Sequence, residues 1–134
     1  MTQYIAAYLL TGLVYLAIDA VWLGWIARKF YFTRLGHLLL DKPNLGSAAA
    51  FYLVYMAGVV VFAIAPGLAA ASPLVALGYG GLFGLCAYAT YDVTNYATLR
   101  DWPFAVSAVD TVWGAVLTGS SAAIGCWLTL AFFA

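Results

Sequence analysis

Charge is what this sequence has least of. Only 7% of its 134 residues are charged, against about 25% in an ordinary soluble domain, and every acid is an aspartate. A chain that is 66% hydrophobic, with a mean hydropathy of +0.99, cannot hide its apolar surface in a water-soluble fold. The formal net charge is zero. Without a basic face to meet phosphates, nucleic acid is excluded as a partner. Cysteine is scarce as well. Cys86 and Cys126 both lie in apolar runs at different expected depths, so no disulfide is expected and both read as small packing residues. With His37 the only histidine, a zinc or haem site built from His and Cys is excluded. No metal site is expected, and the sequence identifies no cofactor.

What is present is four long apolar runs, at about 4–27, 48–64, 74–99 and 104–133. A membrane crossing needs roughly 20 mainly apolar residues. Residues 1–134 therefore read as a single transmembrane domain, an all-α polytopic four-helix bundle whose principal partner is the lipid bilayer. The first run carries no basic leader and continues past Asp19, so it reads as the first helix rather than a signal peptide. Pro66, Pro73 and Pro103 stand where helices are expected to start or stop.

Arg28, Lys29, Arg34 and Lys42 fall in the first connection and Arg100 in the third; the second connection and both ends have no base. The positive-inside rule then places both termini in the periplasm and these two loops in the cytoplasm. The first loop interleaves its bases with Phe30, Phe32, Leu35, Leu38 and Leu39, the pattern of a short interfacial helix on an anionic leaflet. His37 reads as a solvated residue of that loop. Trp25, Tyr31, Trp102 and Trp127, near the ends of the runs, read as interfacial belt residues. Gly78, Gly80, Gly81 and Gly84 in the third run, with Ala115, Gly119, Ser121 and Gly125 in the fourth, permit close backbone approach of these helices, within one chain or between chains.

Three aspartates, Asp19, Asp92 and Asp110, lie inside the apolar runs, where each costs about 2.5 to 3.5 kcal/mol if charged at mid-bilayer. At 1.5 Å per residue all three fall ~10 Å inside the same face of the membrane. Their settings match: AIDAVWLG and AVDTVWGA share Asp-x-Val-Trp, and TYDVTNYA has Asn95 where the others have Trp22 and Trp113. Residues three apart share a helix face, so each aspartate gains a neighbour. Tyr15 and Tyr88 each precede an aspartate by four residues, and Tyr52 and Tyr55 of the second run reach a similar depth. No Lys or Arg lies within a run to balance these carboxylates. They must share protons or bind a cation.

The segments IDAVWLG, FYFTRLGH, FYLVYMAGVVVFAIAP, YDVTNYATLRDWP and VDTVWG together resemble a bacterial family of four-helix membrane proteins known as a domain of unknown function. The likeness covers nearly the whole chain. It implies a multi-pass protein of the bacterial inner membrane, and it transfers no catalytic residue.

The leading expectation is a binding or translocation protein. Asp19, Asp92, Asp110 and Asn95, with Tyr15, Tyr55 and Tyr88 and the deeper Trp22 and Trp113, would hold a proton, a cation or a small amphipathic ligand. Four helices enclose little volume, so transport calls for a homodimer or a larger membrane complex. A lipid- or isoprenoid-modifying enzyme is the second expectation, with an aspartate as general acid or base or the acids holding a divalent metal, although no nucleophile motif or DxxxD-type metal pair appears within any one helix. The third is a noncatalytic subunit of a larger membrane complex, its aspartates paired with a partner's bases.

Overall fold

The computed structural model describes residues 1–134, and they form helices joined by short connections. Helices α1 (Thr2–Ile26), α3 (Leu45–Ala69), α4 (Pro73–Thr98) and α5 (Phe104–Phe133) are each long and apolar enough to cross a membrane. The short α2 (Arg28–Leu35) lies between the first two crossings. The chain is a polytopic membrane protein of four spanning helices.

Helix α3 departs from its expected bounds of 48–64 at both ends. It begins earlier because Asn44 caps it, the side-chain oxygen accepting from the Ser47 N–H at 3.0 Å, which satisfies a first-turn donor that otherwise has no partner. It ends later because Pro66 does not stop it. A proline lacks an N–H and its ring crowds the carbonyl four residues back, here that of Phe62. A π-helical turn over Val60–Ile64 widens the backbone immediately ahead of the proline, and a wider turn relieves that crowding. Helix α1 likewise finishes in a π-helical turn, Trp22–Ile26, closed by the Ala27 N–H on the Trp22 carbonyl at 2.7 Å.

The reversal from α3 into α4 uses both kinds of cap. The Ser72 N–H reaches the Gly67 carbonyl at 2.9 Å and the Ala71 N–H the Leu68 carbonyl at 3.1 Å, with Ala71 in the left-handed region at φ 49°. This is a Schellman ending, with alanine where glycine is usual. Ser72 then caps α4, its hydroxyl accepting from the Val75 N–H at 3.3 Å, with Pro73 in the first helical position.

Helix α5 is the centre of the bundle and the most deeply buried of the four. It packs along α4 on glycines: a Cβ added at Gly80 would lie 2.9 Å from Ala122 Cβ, and one at Gly84 would strike the Gly114 carbonyl and Thr118. The small-residue supply of the third and fourth runs is thus used within one chain. Gly78 is the exception, with nothing within 4 Å of where its Cβ would stand. Gly125 of α5 gives α1 the same close approach at Thr11. A core of Ala7, Tyr15, Val59, Ala63, Ile64, Leu117 and Ala122 joins α1, α3 and α5. A second cluster, Ala27, Tyr31, Leu35 and Val106, seats α2 against the beginning of α5.

Helix α3 meets α4 most closely through its second half, and the two part towards the start of α3. That divergence shapes the site.

Candidate functional site: an aspartate cleft inside the membrane

The two Asp-x-Val-Trp segments, on α1 and α5, come together. Trp22 and Trp113 stack face to face, 4.2 Å between centroids and 12° between planes. Each indole then serves the aspartate of the other helix. Trp113 Nε1 donates to Asp19 Oδ1 at 3.1 Å. Trp22 Nε1 donates to the Tyr31 hydroxyl at 3.2 Å, which donates to Asp110 Oδ1 at 2.8 Å. Three-residue spacing put each tryptophan on its aspartate's face; the packing of the two helices hands it to the opposite carboxylate. Tyr52 of α3 adds a longer bond to Asp19 Oδ2 at 3.4 Å.

Asp92 is fully buried. Neither of its carboxylate oxygens has a hydrogen-bond partner, nor does the nearby Thr111 hydroxyl. It lies beside Asp110 and Thr111, and its backbone carbonyl accepts from the Ser107 hydroxyl at 2.6 Å. A carboxylate in an apolar interior is stable only with a proton or a cationic partner, and a proton on Asp92 would be shared with the adjacent Asp110. The aspartates do not converge on a point that would hold a metal ion.

The tyrosines form a layer of their own. Tyr15 and Tyr88 join hydroxyl to hydroxyl, so neither bonds to the aspartate four residues after it. The Tyr55 hydroxyl pairs with Thr118 Oγ1 at 2.9 Å, and the Tyr55 ring meets those of Tyr15 and Tyr88 edge-on at 5.8 and 6.3 Å. Asn95 is not brought into the cluster. It is half-buried, sits beside Tyr91, and bonds to none of the three carboxylates.

Tyr31 is the residue that sequence reasoning misassigned. It read as a belt residue, but it is buried and is the hydroxyl donor to Asp110. Burial, reinforced by the neighbouring Asp110, pushes its phenol above the usual tyrosine range. Trp102 also turns inward, its Nε1 donating to Ser107 Oγ at 2.9 Å. Trp25 and Trp127 stay on the outside of the bundle. Tyr52, noticed by depth alone, proves to be a direct partner of Asp19. The depth of its helix position was the one signal available for it.

Where α3 and α4 part they leave a cleft of about 580 Å³, walled by Phe51 and Tyr52 on one side and Ala87, Tyr88, Thr90 and Tyr91 on the other, with Asp110 in its lining. It is aromatic along its length and acidic at one point. Such a lining is chemically suited to a molecule with an apolar body and one polar or cationic end.

No curated protein and no solved structure matches this chain. Over residues 4–127 it matches the family described as "Predicted membrane protein (DUF2177)", and the chain belongs to that family.

Proposed function

We propose that this protein binds a small amphipathic ligand within the membrane. The ligand's cationic or hydrogen-bond-donating head would sit on Asp110, with Asp92 behind it, and its apolar body would lie between α3 and α4. The observation that carries this reading is the cleft itself: the half-buried Asp110 opens into an aromatic space of about 580 Å³ and lies beside the fully buried carboxyl of Asp92. Aromatic walls favour a cation by their negative faces. An ionisable group inside a membrane is a candidate functional site by default.

Asp19 supports the reading by contrast. With Trp113 and Tyr52 as donors its hydrogen bonding is internal, so it holds α1 to α5 and α3 while Asp110 and Asp92 remain for the ligand. The basic first connection supports an orientation with both termini in the periplasm and α2 at the cytoplasmic surface, which puts the cleft in the inner half of a bacterial inner membrane. Movement of the ligand across the bilayer would require a second arrangement of the helices or a second copy of the chain.

The test is binding of tetraphenylphosphonium, an apolar cation, to the protein in lipid nanodiscs, measured by equilibrium dialysis beside native mass spectrometry of gently extracted protein. Saturable binding that is lost in Asp110→Asn and weakened in Tyr91→Ala supports the reading. A co-extracted neutral amphiphile that disappears in Asp110→Asn supports the hydrogen-bonding form of the head. A protein partner released by the same variant, with no small molecule bound, would overturn the proposal in favour of a subunit role.

A further inference from the structure

A second groove lies outside the aspartate cleft, with Tyr31, the donor to Asp110, in its wall. It runs between the end of α1, helix α2 and the connection to α3, and encloses about 560 Å³. Leu23, Leu35, Leu38, Leu39 and Leu40 supply its apolar lining, and Arg28 is the one charged residue that reaches it. The Arg28 guanidinium lies over the Phe32 ring, 5.3 Å from its centroid, which leaves its N–H groups free to meet an anion. Leu38, Leu39 and Leu40 remain 47%, 45% and 70% exposed although they stand among Arg34, His37 and Lys42 in the sequence.

We propose that this groove is a specific site for an anionic phospholipid, with its phosphate on Arg28 and an acyl chain along the leucines. Three observations select this occupant. Four of the five bases of the chain, Arg28, Lys29, Arg34 and Lys42, fall in this connection beside a single acid, Asp41, so the charge around the groove favours an anion. Leu23 belongs to the spanning helix α1, so the apolar floor is continuous with the hydrocarbon region and an acyl chain enters without crossing water. The head and tail requirements also lie side by side, a lone guanidinium at the edge of a leucine-lined trough, which a soluble anion would use only in part. Its lining shares no residue with that of the aspartate cleft and carries the opposite charge, although Tyr31 in its wall reaches Asp110.

The experiment is native mass spectrometry of the protein released from nanodiscs of equimolar phosphatidylglycerol and phosphatidylcholine with matched chains. One phosphatidylglycerol retained per chain, in preference to phosphatidylcholine, is the expected result. Arg28→Gln should lower that preference about tenfold, the size of one lost charge-assisted contact, while Arg28→Lys keeps most of it. Leu39→Ser should weaken retention of either lipid. Far-UV circular dichroism and thermal unfolding confirm that each variant is folded. Equal retention of the two lipids by the unaltered protein, an unchanged preference in folded Arg28→Gln, or displacement of the lipid by inorganic phosphate alone would each overturn the proposal.

Discussion

Gly84 and Gly78 lie six positions apart in one helix, and the packing assigns them opposite fates. An alanine at Gly84 places a methyl against the Gly114 carbonyl and within 2.7 Å of Thr118 Cβ. Neither is the far end of a flexible side chain, so α4 and α5 must separate along the contact that holds the bundle together. Overpacking of this kind costs about 1–3 kcal/mol. At Gly78 the same methyl meets nothing within 4 Å, and alanine in place of glycine in a helix interior gains up to ~1 kcal/mol. The two variants should therefore differ by roughly 1–4 kcal/mol, with Gly84→Ala destabilised and Gly78→Ala unchanged or improved. Both are purified in mild detergent and unfolded against increasing mole fraction of dodecyl sulfate, with tryptophan fluorescence and far-UV circular dichroism as readouts. Equal destabilisation by the two substitutions would refute the reasoning, because it would mean that Gly78 is packed against something and that the α4–α5 contact runs through another face.

Trp113→Phe keeps an aromatic ring against Trp22 but removes the N–H that reaches Asp19. In a double-mutant cycle with Asp19→Ala the coupling should be about 0.6 to 1.7 kcal/mol, and strict additivity would show that this bond contributes nothing. Tyr31→Phe should leave Asp110 without its hydroxyl donor and release the contact between α2 and α5, read as faster proteolysis after Arg28 and Lys29; unchanged cleavage would count against it. Because the folded protein holds the Tyr31 proton more tightly than the unfolded chain does, the stability it confers is complete below pH ~10 and is lost as pH rises further. Tyr31→Phe should therefore flatten the alkaline loss of stability, and an identical pH profile in the two proteins would contradict this. Ala71→Gly should stabilise the turn into α4 by about 1 kcal/mol, since φ 49° suits glycine at no steric cost; a lower unfolding midpoint would refute it.

The spanning helices were legible because the signal is compositional: nothing but a bilayer accommodates four such runs. Pro66 misled for a specific reason. A proline forbids one hydrogen bond and one crowded carbonyl, and a single π-helical turn at Val60–Ile64 accommodates both. Whether a chain breaks or widens there depends on whether α4 and α5 leave room for the wider turn, which no local pattern records. Tyr31 misled differently. Closeness to a span end describes depth, but a belt residue and a buried donor share a depth and differ only in which way the helix faces. The side of α2 that packs under α5 is settled by Ala27, Leu35 and Val106 meeting, a contact between distant parts of the chain.

The aspartates show most clearly what repetition in a sequence can and cannot say. Asp-x-Val-Trp stands on α1 and again on α5, and three-residue spacing alone suggests that each tryptophan attends its own aspartate. On one helix that pairing is not assured: an indole three residues on shares the face and leans back along it, but which acceptor its N–H reaches depends on the helix packed beside it. Once α1 and α5 stack Trp22 on Trp113, the donors cross to the opposite strand of the motif, directly to Asp19 and through Tyr31 to Asp110. The exchange is unequal. Asp19 is bonded by groups from α5 and α3, whereas Asp110 receives one hydroxyl and opens to the cleft. Two copies of one motif thus yield one carboxylate bonded across the bundle and one that opens to the cleft. That asymmetry comes from α3, which brings Tyr52 to Asp19 and leans away from α4 where Asp110 opens.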